Sequence, residues 1–251
     1  MSRGGGDPLV TIAVPSLNQG RFLEQALESI ARQDVPVEVF VADAGSSDDS
    51  IAILERWSDR LAGWRSHADA GQASAINECI AKGSAPYVGW LNSDDLMLPG
   101  MLRRLADALE AHPQWPAAYG RVSNVDERSG RRWPVWVEQF SERRMALRCV
   151  VSQPGSLIRR SAWDAIGGVD ESLHMVMDYD LWWRLAERFG PLGMIDEEVA
   201  LNRVHRETKT RRFLRRHYAE AMAVVSRHHG RVPLKWWLAQ PYAVWSKSIF
   251  S

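Results

Sequence analysis

Apolar residues fall into two rhythms along the first hundred positions, and the rhythms alternate. Leu9-Val10-Thr11-Ile12-Ala13-Val14 is a short apolar run that suits a buried strand, and Pro15, Asn18 and Gly20 break it. From Arg21 to Gln33, Phe22, Leu23, Ala26, Leu27 and Ile30 recur three and four apart, the spacing of one helix face. Val37 to Ala42 reads as a second strand. Ser46-Ser47-Asp48-Asp49-Ser50, rich in helix-capping residues, precedes a helix carrying Ile51, Ile53, Leu54 and Trp57. A short strand at Trp64–His67, a helix from about Gln72 to Ala81, a strand through Pro86–Leu91 and a helix from about Gly100 to Ala111 complete the series. Strands that alternate with helices this way predict an α/β fold, a mostly parallel central sheet flanked by helices.

The second half is less regular. Ala117–Val125 and Arg131–Val137, joined by Glu127-Arg128-Ser129-Gly130, predict a hairpin. A helix near Ser141–Cys149, a strand at Ser156–Arg159, a helix at Asp178–Phe189 with Leu181, Trp182, Leu185 and Ala186 inward, and strands at Leu192–Ile195 and Val199–Arg203 follow. Phe213–His229 predicts a basic helix, and Trp236, Trp237, Leu238, Tyr242, Trp245, Ile249 and Phe250 make the end aromatic. The expected organisation is a frayed start (1–8), a catalytic domain (9–206, with halves 9–95 and 96–206) and a basic, aromatic helical C-terminal extension (207–251).

The chain has 251 residues, with 31 Lys plus Arg against 31 Asp plus Glu. Zero net charge offers no bulk attraction for nucleic acid. Positive charge gathers late, at Arg211, Arg212, Arg215, Arg216, Arg227 and Arg231; followed by aromatic residues, that pattern suits either an interfacial membrane contact or a helix packing back on the domain. The cysteines, Cys79 and Cys149, have no metal-ligand spacing and are expected to be reduced and packed. No secretory pattern opens the chain and no apolar run has bilayer length, so a cytoplasmic setting is expected, peripheral at the inner membrane face if the end binds lipid.

The candidate chemistry lies at strand ends. Asp43 ends the second strand, Asp69 the third, and Asn92-Ser93-Asp94-Asp95 follow the fourth. One such carboxylate is ordinarily a helix cap or turn residue. Several on one edge of a parallel sheet suggest a polar ligand held with a hard cation, Mn²⁺ or Mg²⁺, because ionised carboxylates buried together need positive partners. Neither G-x-G-x-x-G nor G-x-x-x-x-G-K-[ST] occurs; Pro15-Ser16-Leu17-Asn18-Gln19-Gly20 follows the first strand instead.

The chain resembles the family 2 glycosyltransferases. The matching pieces run in order: Val14-Pro15-Ser16-Leu17-Asn18; Asp43-Ala44-Gly45-Ser46-Ser47-Asp48; Asp69-Ala70-Gly71-Gln72 with Asn77; Leu91–Asp95; Gln153-Pro154; Gly168-Val169-Asp170-Glu171; Asp178-Tyr179-Asp180-Leu181-Trp182; and Arg203-Val204-His205. The resemblance implies a GT-A fold and inverting transfer from a nucleotide-diphospho-sugar donor to a glycan or lipid-linked acceptor, in cell-surface polysaccharide or glycolipid assembly. It places Pro15 and Asn18 beside the base with Asp43 hydrogen-bonded to it, sets Asp69, Gly71 and Gln72 along the nucleoside and phosphates, and counts Ser16, Gly45 and Asn77 among the donor-binding residues. Asn92 and Asp94 join the donor site. Asp94 and Asp95 match the metal-binding D-x-D, with Asp95 the expected direct ligand and His205 a further one. Asp178 matches the catalytic base, with Asp180 as the alternate.

Two departures stand out: Asn92 occupies the first D-x-D position, and Met177 replaces the Glu usual before the base. Arg203, Arg206 and Lys209 are expected in solvent, within reach of a diphosphate. Trp90 and Trp182 are expected in the core. The competing readings are a sugar nucleotidyltransferase, which usually carries a Gly-rich basic loop lacking here, and a non-catalytic sugar-nucleotide-binding protein on the same fold.

Overall fold

The computed structural model describes residues 7–205 and 208–241; the expected frayed start up to residue 6, Arg206, and the aromatic positions from Tyr242 onward lie outside them. The first half follows the predicted alternation: β1 (Val10–Ser16), α1 (Gly20–Ala31), β2 (Val37–Asp43), α2 (Ser50–Trp57), β3 (Gly63–Ser66), α3 (Gln72–Lys82) and β4 (Tyr87–Trp90). These strands are parallel neighbours in the order β3-β2-β1-β4. All four therefore deliver their carboxyl ends to one edge, where open α/β sheets bind ligands.

Antiparallel pairings enter with the second half. It comprises β5 (Leu96–Met97), α4 (Met101–Ala111), β6 (Ala117–Asp126), β7 (Arg132–Pro134), α5 (Glu142–Met145), β8 (Ser156–Arg159), α6 (Arg160–Ile166), α7 (Met177–Phe189) and β9 (Gly193–Val204). β8 runs antiparallel between β4 and β6, β7 pairs antiparallel with β6, and β9 lies parallel to β6. The two terminal strands predicted at 192–195 and 199–203 are one strand, β9. Its pairing with β6 carries register irregularities near Tyr119–Val122 that absorb the polar Asp196-Glu197-Glu198 segment. α8 (Lys209–Arg212), α9 (Leu214–His229) and α10 (Leu234–Pro241) complete the described chain.

Strand alternation divides the apolar residues between two cores. Val10, Ile12 and Val14 of β1 face the core with Leu23, Leu27 and Ile30 of α1 and Leu102, Leu105 and Leu109 of α4. Val88 and Trp90 of β4 face the other, with Ile76 and Ile80 of α3, Leu181, Trp182 and Leu185 of α7, and Val224 and Val225 of α9. Trp90 and Trp182 stack in that core at 6.3 Å, as expected of them. Cys79 is a buried free thiol pushed up to about 12, chiefly by burial; Cys149 is also free.

The basic helix predicted at 213–229 is part of this architecture. α9 packs its Ala221, Met222, Val224 and Val225 inward. Beyond it, the Trp236 indole donates to the Ala146 carbonyl at 2.8 Å, while Leu234, Trp237 and Leu238 of α10 are exposed. Among the described residues no helix is long and apolar enough to cross a membrane.

Candidate active site

A cavity of about 730 Å³ opens at the shared strand edge. Pro15 and Ser16 at the end of β1, Asp69, Gly71 and Gln72 at the entry to α3, Asn92, Asp94 and Asp95 after β4, and Asp178 at the start of α7 all line it. Residues more than 150 positions apart thus share one opening.

The β1 and β2 ends are tied together. Asn18, at φ 52°, donates its backbone N–H to Ser46 Oγ (2.7 Å) and accepts the Ser47 N–H on its side-chain oxygen (2.9 Å). Asparagine tolerates that left-handed backbone better than most residues. Asp43 is fully buried and accepts Gly45 N–H (3.0 Å), Ser46 N–H (2.8 Å) and Ser66 Oγ (2.7 Å) on one oxygen. Asn18, Asp43 and Gly45 therefore shape the loops behind the wall and do not themselves line the cavity. Asp69 accepts the Gly71 N–H (2.9 Å) and lies 3.0 Å from an Arg65 guanidinium nitrogen. Gly71 holds φ 121°, a conformation that favours glycine, and so turns the chain into α3. Gln72 then donates to the Asn92 side-chain oxygen (2.8 Å) and accepts from Lys209 Nζ (3.0 Å).

Asn77 stands apart from its expected place along the donor. Its amide donates to the Val169 carbonyl (3.0 Å) and Glu171 (2.9 Å), and its oxygen accepts the Val169 N–H (3.1 Å). It clamps the turn at Gly168 and lies outside the cavity lining.

The two adjacent aspartates are not equivalent. Asp95 is 2% exposed, and both its oxygens are engaged, by the Arg203 N–H (3.0 Å) and the Asn92 amide (3.0 Å). Burial, reinforced by the Asp94 charge, pushes its carboxyl well up. Asp94 instead reaches His205, with Oδ2 and Nε2 2.9 Å apart. His205 is buried beside Phe22, whose ring centroid is 4.8 Å away. Arg203, expected in solvent, is buried: it donates to the Asp94 carbonyl (2.9 Å) and the Gln25 side chain (2.9 Å) and lies over Phe22. Asp94 lines the cavity and offers a carboxylate oxygen, the donor type suited to Mn²⁺ or Mg²⁺, while His205 lies behind it, outside the cavity lining. Among the described residues no three His, Cys, Asp or Glu side chains form a cage. The residues present fit an ion that shares its coordination with substrate oxygens, the usual arrangement for Mg²⁺.

Asp178 and Asp180 separate by environment. Asp178 opens α7 at the cavity, and burial raises its carboxyl above the ordinary range, against the Tyr179 N–H hydrogen bond (2.8 Å). Asp180, one face round the helix, is fully buried away from the cavity. It meets Arg184 (2.6 Å), Arg227 (3.2 Å) and His228 (2.9 Å). Burial would raise it, but the His228 and Arg184 hydrogen bonds outweigh that and hold it low. Asp180 joins α7 to α9, and Asp178 is the one of the two that lines the cavity.

Three further groups at the cavity drew no role from sequence patterning. Gln153 is buried, donates to the Trp90 carbonyl at 2.7 Å, and leaves its oxygen without a partner. His217, from α9, lines the wall, and burial lowers its affinity for a proton. Trp136, between β7 and α5, stands exposed at the opening. Only the Gln153-Pro154 motif offered a signal; a lone histidine in a basic helix and one tryptophan in an irregular stretch do not.

The sequence profile described as "Glycosyl transferase family 2" matches residues 11–167. Chondroitin synthase of Escherichia coli is 27% identical over 205 residues, covering 78% of this chain and 29% of that protein; the chain thus spans under a third of that relative. Among solved structures, S. aureus TarS 1–349 in complex with UDP-GlcNAc superposes with a TM-score of 0.70 at 18% identity, over 87% of this chain and 66% of the other. The mannosyltransferase PcManGT from Pyrobaculum calidifontis, in complex with GDP-Man and Mn²⁺, gives 0.65 at 20% identity, over 87% and 65%. These likenesses establish a shared fold, the GT-A fold.

Proposed function

The chain belongs to glycosyl transferase family 2, and from that membership we propose that it moves a sugar, with inversion and with a divalent cation, from a nucleotide diphosphate to a hydroxyl of a glycan or lipid-linked acceptor. The observation carrying this reading is that one cavity has Asp178 and Asp94 in its lining together with residues of the β1 end and the entry to α3. The donor lies along Pro15, Ser16, Asp69, Gly71 and Gln72, with its diphosphate toward Asp94 and Lys209. Asp94 would hold the ion, with His205 behind it as a further ligand, and Asp95 braces the Asn92 side chain and the Arg203 backbone beside them. A bound Mn²⁺ or Mg²⁺ supplies Lewis-acid neutralisation of the charge released on the departing diphosphate.

Asp178 accepts the proton of the acceptor hydroxyl as its oxygen bonds to the anomeric carbon and the bond from that carbon to phosphate breaks. General-base help of this kind contributes about 10²–10⁴-fold. Direct attack inverts the anomeric centre, and no protein nucleophile is required. Cell-surface polysaccharide or glycolipid assembly is the proposed setting. Peripheral membrane contact would use the exposed Leu234, Trp237 and Leu238.

Incubation with a panel of UDP- and GDP-sugars, Mn²⁺ and glycan acceptors tests the reading. Release of nucleoside diphosphate with a lengthened acceptor, abolished by chelator, is expected. Pyrophosphate exchange would indicate a nucleotidyltransferase instead, and nucleotide binding without turnover a binding protein.

A further inference from the structure

Trp136 is 59% exposed, although it lines the same cavity as Asp178. A large aromatic side chain left open to water at the mouth of a polar cleft costs hydrophobic free energy that a ligand face would recover. One face of the indole is already covered: the Arg148 guanidinium carbon lies 4.4 Å from the ring centroid, a cation–π contact that holds the ring in place. Tyr119 and Arg144 grip the adjacent chain, the tyrosine hydroxyl donating to the Glu138 carbonyl (2.9 Å) and Arg144 to the Glu138 carboxylate (2.8 and 2.9 Å). The ring therefore stands on a braced segment.

A second, independent observation lies deeper in the same wall. Gln153 is 93% buried, and its Nε2 is committed to the Trp90 carbonyl. That bond fixes which end of the amide is which. Its Oε1 has no donor. A buried acceptor left unmatched costs about 1–3 kcal/mol, a cost that a hydroxyl or N–H donor offsets. Carboxylate or phosphate oxygens cannot serve, because they only accept.

We propose that Trp136 and Gln153 form the acceptor subsite, stacking the C–H face of a pyranose on the open face of the indole and receiving one sugar hydroxyl at Gln153 Oε1. The inference rests on the glycosyltransferase reading and adds what holds the acceptor. The occupant is a pyranosyl glycan. A flat aromatic face matches its C–H side, and the unmatched acceptor of Gln153 takes a hydroxyl or amide donor; Ser16, Asp69 and His217 carry further atoms without a hydrogen bond in the lining.

Saturation-transfer NMR on the full chain tests it, using chitohexaose, cellohexaose and a chondroitin hexasaccharide as glycan probes, and UDP and GDP with Mn²⁺ as nucleotide probes. Wild type is expected to saturate the C–H protons of at least one glycan. Trp136→Ala should weaken that binding about tenfold, the loss of one aromatic stacking contact. Trp136→Phe should retain most of it, and nucleotide binding should be unchanged in both. Because Trp136 is exposed, its replacement leaves the core intact, and unchanged nucleotide binding reports a folded site. Gln153→Leu, which keeps the bulk and removes the Oε1 acceptor, should raise the acceptor KM more than the donor KM; equal effects on both would overturn the Gln153 assignment.

Glycan binding equal in wild type and Trp136→Ala would overturn the proposal. So would nucleotide binding with no glycan bound, or a concentration-dependent dimer that Trp136→Ala dissolves. Failure of wild type to bind either nucleotide would instead overturn the glycosyltransferase reading beneath it.

Discussion

Asp178 and Asp180 show how far two residues on one turn can diverge. Side chains two apart on a helix point to different faces. One face of α7 meets the cavity and the other meets α9. Asp178→Asn is therefore expected to bind nucleotide as tightly as wild type by calorimetry while transfer falls about 10²–10⁴-fold. Undiminished turnover would remove Asp178 from the proposed role. The base must be ionised to act, and burial raises its carboxyl, so the rising limb of the pH–rate profile should lie above the ordinary carboxylate range. Asp94 and Asp95 diverge for a similar reason. Backbone direction after β4 turns the first toward His205 and the second toward the Arg203 N–H. Sequence marked both as candidates; their division of labour came from a hydrogen bond to residue 203, about 110 positions away, which no local pattern encodes.

At the scale of elements, α7 and α9 form one unit around a buried charge cluster. His228 donates to Asp180 and Glu187 (2.8 Å) and stacks against Trp183 at 5.8 Å, with ring planes 2° apart. Burial works to lower the His228 pKa, but its bonds to the two carboxylates outweigh that and raise it. A histidine held protonated in the fold stabilises fully below its unfolded value, about 6.5, and that contribution is lost as pH rises through the raised folded value. Asp180 acts in the opposite sense: held low, it stabilises above the ordinary aspartate value and is lost as pH falls through its depressed one. The cluster is thus strongest between those limits. His228→Gln should cost about 1.5–3 kcal/mol in urea unfolding at pH 6, with the difference from wild type shrinking toward pH 9. A difference constant with pH would mean that the protonated ring is not the stabilising species. The helices themselves were legible, since Leu181, Trp182 and Leu185 recur on one face of α7. Their contact was not, because charge pairs leave no period.

For the whole molecule, the C-terminal helix is a component of the domain. Glu220 of α9 accepts the backbone N–H groups of His174 (3.0 Å) and Met175 (2.7 Å), and Arg227 meets Asp170 (3.3 Å). The loop leading to Asp178 is therefore held from α9. A chain ending at residue 208 is expected to lose cooperative thermal unfolding and nucleotide-dependent stabilisation together. A truncated chain that melts cooperatively and responds to nucleotide would make α9 an independent appendage. Sequence alone left a membrane contact and a helix packed on the domain equally open, because a basic amphipathic helix looks the same whether it faces lipid, a partner or its own domain.

Sequence by itself determined the strand–helix alternation of residues 9–111, the shared edge at which Asp69, Asp94 and Asp95 arrive, and the hairpin at 117–137. Period and turn chemistry are local, and a parallel β-α order leaves its carboxyl ends no other side on which to emerge. Tertiary structure alone decided that β8 enters antiparallel beside β4, that Asn77 braces a turn instead of meeting the cavity, that Asp94 rather than Asp95 meets His205, and that Trp136, Gln153 and His217 border the opening. Each of those outcomes depends on groups far apart in the chain meeting in a packed interior, where the direction of one side chain is set by what its neighbours leave unsatisfied.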